Sequence, residues 1–281
     1  MKKYAFYLSL ILGICANAQD FRGTAVYESK TTLDLSGTNE KGEEVSIDLG
    51  PDFKAQLAKA MEKSYTLHFD RTASVYEENE KLDSPTGPGT IHVNFGASGK
   101  QYKNVKTKTS IIESEIFDKE FLIVDSLKAK EWKMAGETKK IGNYTCYKAT
   151  YTIKPQPLPE VPEDDKKVNI LSLVEKETVI TAWYTPDIPV SHGPGDYWGL
   201  PGLILEVNDG RTTLLCSKIT LNPKEKVEIK VPTKGDKVTQ AEYDAIMEKK
   251  LNEMDQMNGT IETSSDGTRT TTTTRVIRIG G

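Results

Sequence analysis

Trp183-Tyr184-Thr185-Pro186-Asp187-Ile188-Pro189-Val190 and, after a short interval, Gly199-Leu200-Pro201-Gly202-Leu203-Ile204-Leu205-Glu206-Val207 decide how this chain is read. Leu200 precedes a proline, which pushes its backbone to an extended conformation. Pro201-Gly202 suits the centre of a type II turn, with proline presetting φ and glycine accepting φ > 0. Leu203 to Val207 reads as a buried strand. Asn208-Asp209-Gly210 is a tight hairpin signal, and Arg211 to Ile219 returns as the partner strand. The stretch is therefore a folding unit of turn, strand, hairpin and strand, and it contains no recognisable catalytic constellation.

Working outward, the chain alternates as β-structure does. Ala25, Tyr27 and Ser29 oppose Thr24, Val26 and Glu28 in a first strand within Gly23 to Leu35. Asn39 to Glu44 is a polar turn. Tyr65 to Phe69 and Ala73 to Tyr76 form a strand pair, Ile91, Val93 and Phe95 another strand after the loop Asp83 to Gly89, and Lys103 to Val124 is mostly strand-like. Tyr144 to Ile153 and Val227 to Val231 complete the set. Two stretches carry helical spacing instead. Phe53, Leu57 and Met61 predict a short helix opened by Pro51-Asp52. Thr239-Gln240-Ala241-Glu242 fits a capping box before the stripe Tyr243, Met247, Leu251 and Met254, whose plainest use is core packing. The fold class expected is mainly β (α+β): an antiparallel, curved, bowl-like or half-barrel sheet with a short N-terminal-half helix and a C-terminal helix.

The ends differ from the middle. Lys2, Lys3, the apolar run Tyr4 to Cys15 and Ala16-Asn17-Ala18 form a signal peptide over 1–18, with cleavage between Ala18 and Gln19. Ile14 before Cys15 is not the small residue that lipoprotein cleavage requires. A single β-rich domain is expected over 19–257, followed by a Thr-rich tail over 258–281. That tail either adds as a strand to an open sheet edge or remains a disordered terminus. Lys154 to Lys167, with Pro155, Pro157, Pro159 and Pro162, reads as an exposed insert. The formal net charge of −4 becomes −6 without Lys2 and Lys3, and no basic block suits nucleic acid or an anionic bilayer. No other segment is long and apolar enough to span a membrane.

The residues that bear chemistry are few. His68 and His92 sit in strand-like runs. Ser191, His192 and Asp196 share one short loop, whereas nucleophile, base and orienter are normally drawn from distant segments. Asp187, His192 and Asp196, with Glu206, could gather at one rim and hold a cation weakly, although ordinary loop charges explain them as well. No cofactor motif is present. Cys146 and Cys216 are either a disulfide pair or two separately buried thiols. Trp183, Tyr184, Tyr197, Trp198, Leu200 and Pro201 are the candidate partner- or ligand-binding group, with core anchoring as the competing use. Asp125-Ser126-Leu127 offers Ser126 as a candidate O-glycosylation acceptor.

Gly199-Leu200-Pro201-Gly202-Leu203-Ile204, together with Ile141 to Thr150, Ala182 to Pro189 and Gly193-Pro194 in that order, resembles the GLPGLI family of exported Bacteroidetes proteins. The similarity is dense over 140–222 and loose over the rest of 20–255. It implies a periplasmic address and a bowl-like fold similar to the N-terminal domain attached to some bacterial glycan amidases. It also implies neighbourhood with TonB-dependent transporters. The function expected is therefore non-enzymatic: an exported accessory or binding protein in the periplasm or at the outer membrane, with an outer-membrane β-barrel protein or envelope complex as partner. A half-barrel carrier of a small or lipophilic ligand and a hydrolase with an unread site are the alternatives.

Overall fold

The computed structural model describes residues 21–32, 36–38, 44–46, 61–79, 99–116, 118–154, 177–225 and 228–258, with isolated positions at 50, 55 and 59. The signal peptide with its Ala18–Gln19 cleavage site, His92 and its strand, the Pro-rich insert from 155 onward and the tail beyond Asn258 lie outside these residues. So does most of the helix expected from Phe53 and Leu57.

Twelve strands form one open sheet. The first six are β1 (Arg22–Thr31), β4 (Lys63–Asp70), β5 (Ala73–Glu78), β6 (Gln101–Asn104), β7 (Thr109–Ile116) and β8 (Lys119–Ser126). The others are β9 (Lys133–Ile141), β10 (Tyr144–Ile153), β11 (Thr178–Thr185), β12 (Leu203–Asn208), β13 (Thr212–Leu221) and β14 (Asp236–Val238). The strands β2 (Ser36–Thr38) and β3 (Glu44–Ser46) pair apart as a small hairpin. In the main sheet the spatial order is β14-β8-β7-β6-β5-β4-β1-β13-β12-β11-β10-β9. Two meanders thus meet at β1 and β13: one steps outward from β1 to β8, and the other steps inward from β9 to β13. The antiparallel expectation holds for every neighbouring pair except β14 and β8, which run parallel.

Local chemistry explains the elements. In β1, Ala25, Tyr27 and Ser29 are buried while Glu28 and Lys30 are exposed, the alternation of a strand with one face on a core. β9 and β10 join through Gly142-Asn143. Gly142 has φ +55°, as the first central residue of a type II′ hairpin requires. The hairpin at Asn208-Asp209-Gly210 also forms: the Asp209 carboxylate accepts from the Arg211 and Thr212 amides at 2.9 and 2.6 Å.

The one helix described with its full extent, α1 (Gln240–Asn258), begins at the expected capping box. The Thr239 amide donates to Glu242 Oε2 at 2.7 Å, and the Glu242 amide donates to Thr239 Oγ1 at 3.3 Å. Tyr243 packs edge-on against Phe121, and its hydroxyl shares a hydrogen bond with Ser114 Oγ at 2.5 Å. Tyr243 and Met247 of the stripe therefore pack on β7 and β8 with Ile246, while the side chains of Leu251 and Met254 lie outside those described.

Two readings need correction. Residues 228–231 are not a strand: Ile229 packs against Ala73, Val75, Tyr102 and Ile111, but the segment pairs with no ladder. The sequence also left out β9, a strand of mostly exposed residues at the sheet edge.

Candidate functional site: the loop between β11 and β12

Residues 186–202 leave the end of β11 and return into β12, crossing to strands on the other meander. Ile188 and Val190 are buried with Tyr27, Leu67 and Phe69. Leu200 and half-buried Tyr197 are packed with Ala149, Tyr151, Ile180 and Ile204. The loop is therefore an apolar plug, held on one side by β1 and β4 and on the other by β10 to β12. Tyr27 fixes the entry to β12, its hydroxyl donating to the Ile204 carbonyl at 2.7 Å.

Polar contacts with β6 pin the middle of the loop. Lys103 is fully buried (0 % exposed), and its Nζ donates to the Gly193 carbonyl at 3.0 Å and to the Gly195 carbonyl. Gln101 Nε2 donates to Asp196 Oδ1 at 2.5 Å. Burial pushes the Lys103 ammonium down to about 8, with Asp196 opposing that fall and Lys130 adding to it. His192 beside it is also 0 % exposed, tilted against Phe69 at 6.4 Å between ring centroids. Neither of its ring nitrogens makes a hydrogen bond of good geometry among the described residues, although the Asp70 backbone lies near enough to oppose the fall in its basicity. Burial lowers its pKa to about 4, Lys103 lowers it further, and Asp70 opposes both, so the ring is neutral near pH 7.

The glycines of the motif act differently from the turn expected of them. Gly202 does not carry positive φ; that conformation belongs to Gly199, at +94°. Gly202 is instead a close approach, since a Cβ there would lie 2.2 Å from the Thr185 carbonyl oxygen. Gly193 is similar, with Tyr197 O and Ile204 in the way of any side chain.

The six candidate binding residues do not form one surface. Tyr184 and Leu200 are buried in the core that Tyr197 joins. Trp183, one residue before Tyr184 on β11, faces the other way. Lys139 Nζ lies 4.4 Å and Lys148 Nζ 6.0 Å from its ring centroid, while Lys139 bonds both Glu206 oxygens at 2.7 Å. Trp198 is held through its carbonyl, which accepts from Trp132 Nε1 at 2.8 Å; Pro201 is exposed.

Among the described residues no three His, Cys, Asp or Glu side chains gather as a metal site, Asp187, His192 and Asp196 included. Cys146 and Cys216 are both free and buried in this structure, within one core cluster. Burial raises their thiols to about 11 and about 12, which keeps them protonated. His68 bonds Thr24 Oγ1 through Nδ1 at 3.1 Å within the sheet. Ser126 is exposed at the end of β8. Sequence reasoning missed Lys103, Gln101 and Trp132, the residues that hold the loop down.

Beside the plug an apolar face is left partly open. Tyr147, Ala149, Tyr151 and Ile153 alternate onto one face of β10; Tyr184 and Met134 pair with it from β11 and β9. Trp132, edge-on to Tyr151 at 4.7 Å, covers its middle together with Tyr197 and Leu200. Met134, Tyr147 and Ile153 remain 57 %, 41 % and 48 % exposed.

The fold and loop define an open, mainly antiparallel β-sheet protein with an internal plug. A family described as "Protein of unknown function (Porph_ging)" matches residues 132–206, the span from Trp132 through β9 to most of β12. Two crystal forms of PNGF-II are similar at 14 % identity and a TM-score of 0.48, over 82 % and 81 % of this chain and 33 % of theirs. The chain thus spans a third of the length of those structures. The lipoprotein LppX of Mycobacterium tuberculosis is similar at 12 % identity and a TM-score of 0.25, over 82 % of this chain and 97 % of its own. LprF of Mycobacterium bovis follows at 12 % and 0.26, over 76 % and 90 %. No curated protein matches the sequence. No helix among the described residues is long and apolar enough to cross a membrane.

Proposed function

We propose that this is a non-enzymatic, exported binding protein of the cell envelope, a single domain over 19–257 with a separate tail. It works in the periplasm or at the outer membrane, docked on an outer-membrane β-barrel such as a TonB-dependent transporter. The observation that carries the reading is the apolar face of β9 to β11, where Met134, Tyr147 and Ile153 stand exposed on one side of the plugged core. A patch of Met, Tyr and Ile rimmed by lysines has the composition of a contact surface. The curved, bowl-like sheet belongs to the same reading: the loop joins strands of both meanders, which flat sheet geometry would hold far apart. The plug fills that concavity with its own side chains, which favours docking from outside over carriage of a ligand within.

The test is purification from solubilised native membranes with a tag in an internal loop and the C-terminus free. A stoichiometric outer-membrane barrel in the eluate is the expected result. A lone protein carrying a small molecule would replace the reading with that of a carrier, and a lone, empty protein would remove its basis.

A further inference from the structure

The edge strand β9 and its hairpin partner carry a concentrated positive charge. Residues 127–154 hold seven lysines against two glutamates, a net of +5 within a chain of net −4. Three of these lysines are engaged: Lys139 with Glu206, Lys148 with Glu137, and Lys130 over the Tyr151 ring at 5.5 Å. Lys133 and Lys140 on β9 are exposed and make no ion pair among the described residues. β9 ends the sheet, and among the described residues nothing pairs with its outer edge.

Hairpin geometry fixes which backbone groups face outward. The two-residue turn makes Ile141 and Tyr144 a hydrogen-bonded pair, and Lys139 with Cys146 the next. The amides and carbonyls of Thr138 and Lys140 then point away from β10. The register shift that follows, opposite Tyr147 to Ala149, breaks the ladder before Met134. The regular open edge is thus the short run Thr138 to Ile141. On one face it presents Lys140 and Thr138 beside exposed Tyr147 and Met134.

This chemistry selects a partner. Lysines along an open edge oppose pairing with a second copy, because an antiparallel pair of β9 edges would set lysine against lysine. They favour an opposite charge. We infer that the β9 edge at Thr138–Ile141 takes an extended acidic segment of a partner protein as an added strand, a carboxylate against Lys140 and an apolar side chain on Tyr147 and Met134 along the same face. The inference rests on the binding-protein reading and specifies the partner's chemistry. An edge this short implies a transient complex whose strength falls with salt.

The test uses the full mature chain and a synthetic peptide of about eight residues in which Glu and Val take turns on one face with Ser on the other, a length typical of one strand. Binding is followed by fluorescence anisotropy at about 20 mM and about 300 mM salt, which brackets strong and weak screening. Saturable binding is expected at low salt, weaker by about tenfold for Lys140→Glu, the equivalent of one good contact. Thr138→Pro, which removes an outward amide and spares the β10 ladder, should weaken binding similarly, as should N-methylation of alternate peptide amides. Circular dichroism checks that each variant folds; Lys140→Glu is a surface change that keeps the test alive if Thr138→Pro does not.

No binding of the peptide overturns the inference. So does binding that responds to Lys140→Glu but ignores both Thr138→Pro and N-methylation, which would be charge attraction alone. A concentration-dependent dimer that the peptide does not dissolve would assign the edge to a second copy. Binding seen only after Glu160, Glu163, Asp164 and Asp165 are changed to amides would assign it to the chain's own acidic run. If a native barrel partner still co-purifies with Thr138→Pro and Lys140→Glu, the binding reading stands and the β9 assignment falls. If no partner co-purifies with the wild-type chain, the parent reading itself fails.

Discussion

His192 and Lys103 carry the sharpest consequences at the level of single residues. A neutral, buried imidazole next to a buried ammonium opposes taking up a proton. The folded pKa of about 4 lies below the ordinary 6.5, so the unfolded chain binds that proton first as pH falls. Stability from this site is fully present above pH 6.5, falls through the window down to pH 4, and is flat below it. The shift corresponds to about 3 kcal/mol across the window. Urea unfolding at pH 7 and at pH 4.5 should show the loss in the wild-type chain and a smaller one in His192→Leu. That variant should also be close to the wild-type chain at pH 7, since the imidazole nitrogens lose no hydrogen bond of good geometry.

Lys103→Met makes the opposite case, because it strands the Gly193 and Gly195 carbonyls. It should cost about 1–3 kcal/mol. Amide exchange over 193–199 should quicken while β1 stays protected; unchanged exchange there would show that the plug does not depend on this clamp.

The two meanders and the plug between them set the behaviour of elements. Gly202→Ala drives a Cβ into the Thr185 carbonyl and should cost at least about 2 kcal/mol, since neither strand end can yield. Gly199→Ala meets only Trp132 Nε1 at 3.9 Å and pays for its positive φ alone, about 1 kcal/mol. Equal losses in paired denaturation curves would contradict this division of roles.

Elements with a strong local signal were legible in the sequence: the β1 alternation, the hairpin at Asn208 to Gly210 and the capping box at Thr239. β9 was not, because an edge strand protected by lysines has no apolar alternation to read. Residues 228–231 misled for the converse reason, as Ile229 and Val231 alternate like a strand while only Ile229 packs. The motif pointed to a tight turn centred on Pro201-Gly202, whereas the positive φ belongs to Gly199 and Gly202 serves a close approach to Thr185. Nothing around Gln101-Tyr102-Lys103 marks that lysine as buried, because its burial depends on a loop some ninety residues away. The aromatic group was visible as a set, yet strand alternation sends Trp183 and Tyr184 to opposite faces.

Over the whole molecule, the proposed function makes the plugged sheet with its open apolar face a protein bound from outside. That claim is tested most directly in the native envelope. A photo-crosslinking side chain is placed at Tyr147, and a control at exposed Glu248 on α1. The account predicts that Tyr147 crosslinks to one outer-membrane barrel protein in good yield and that Glu248 does not. Crosslinks from Glu248 with none from Tyr147, or none from either, would contradict it.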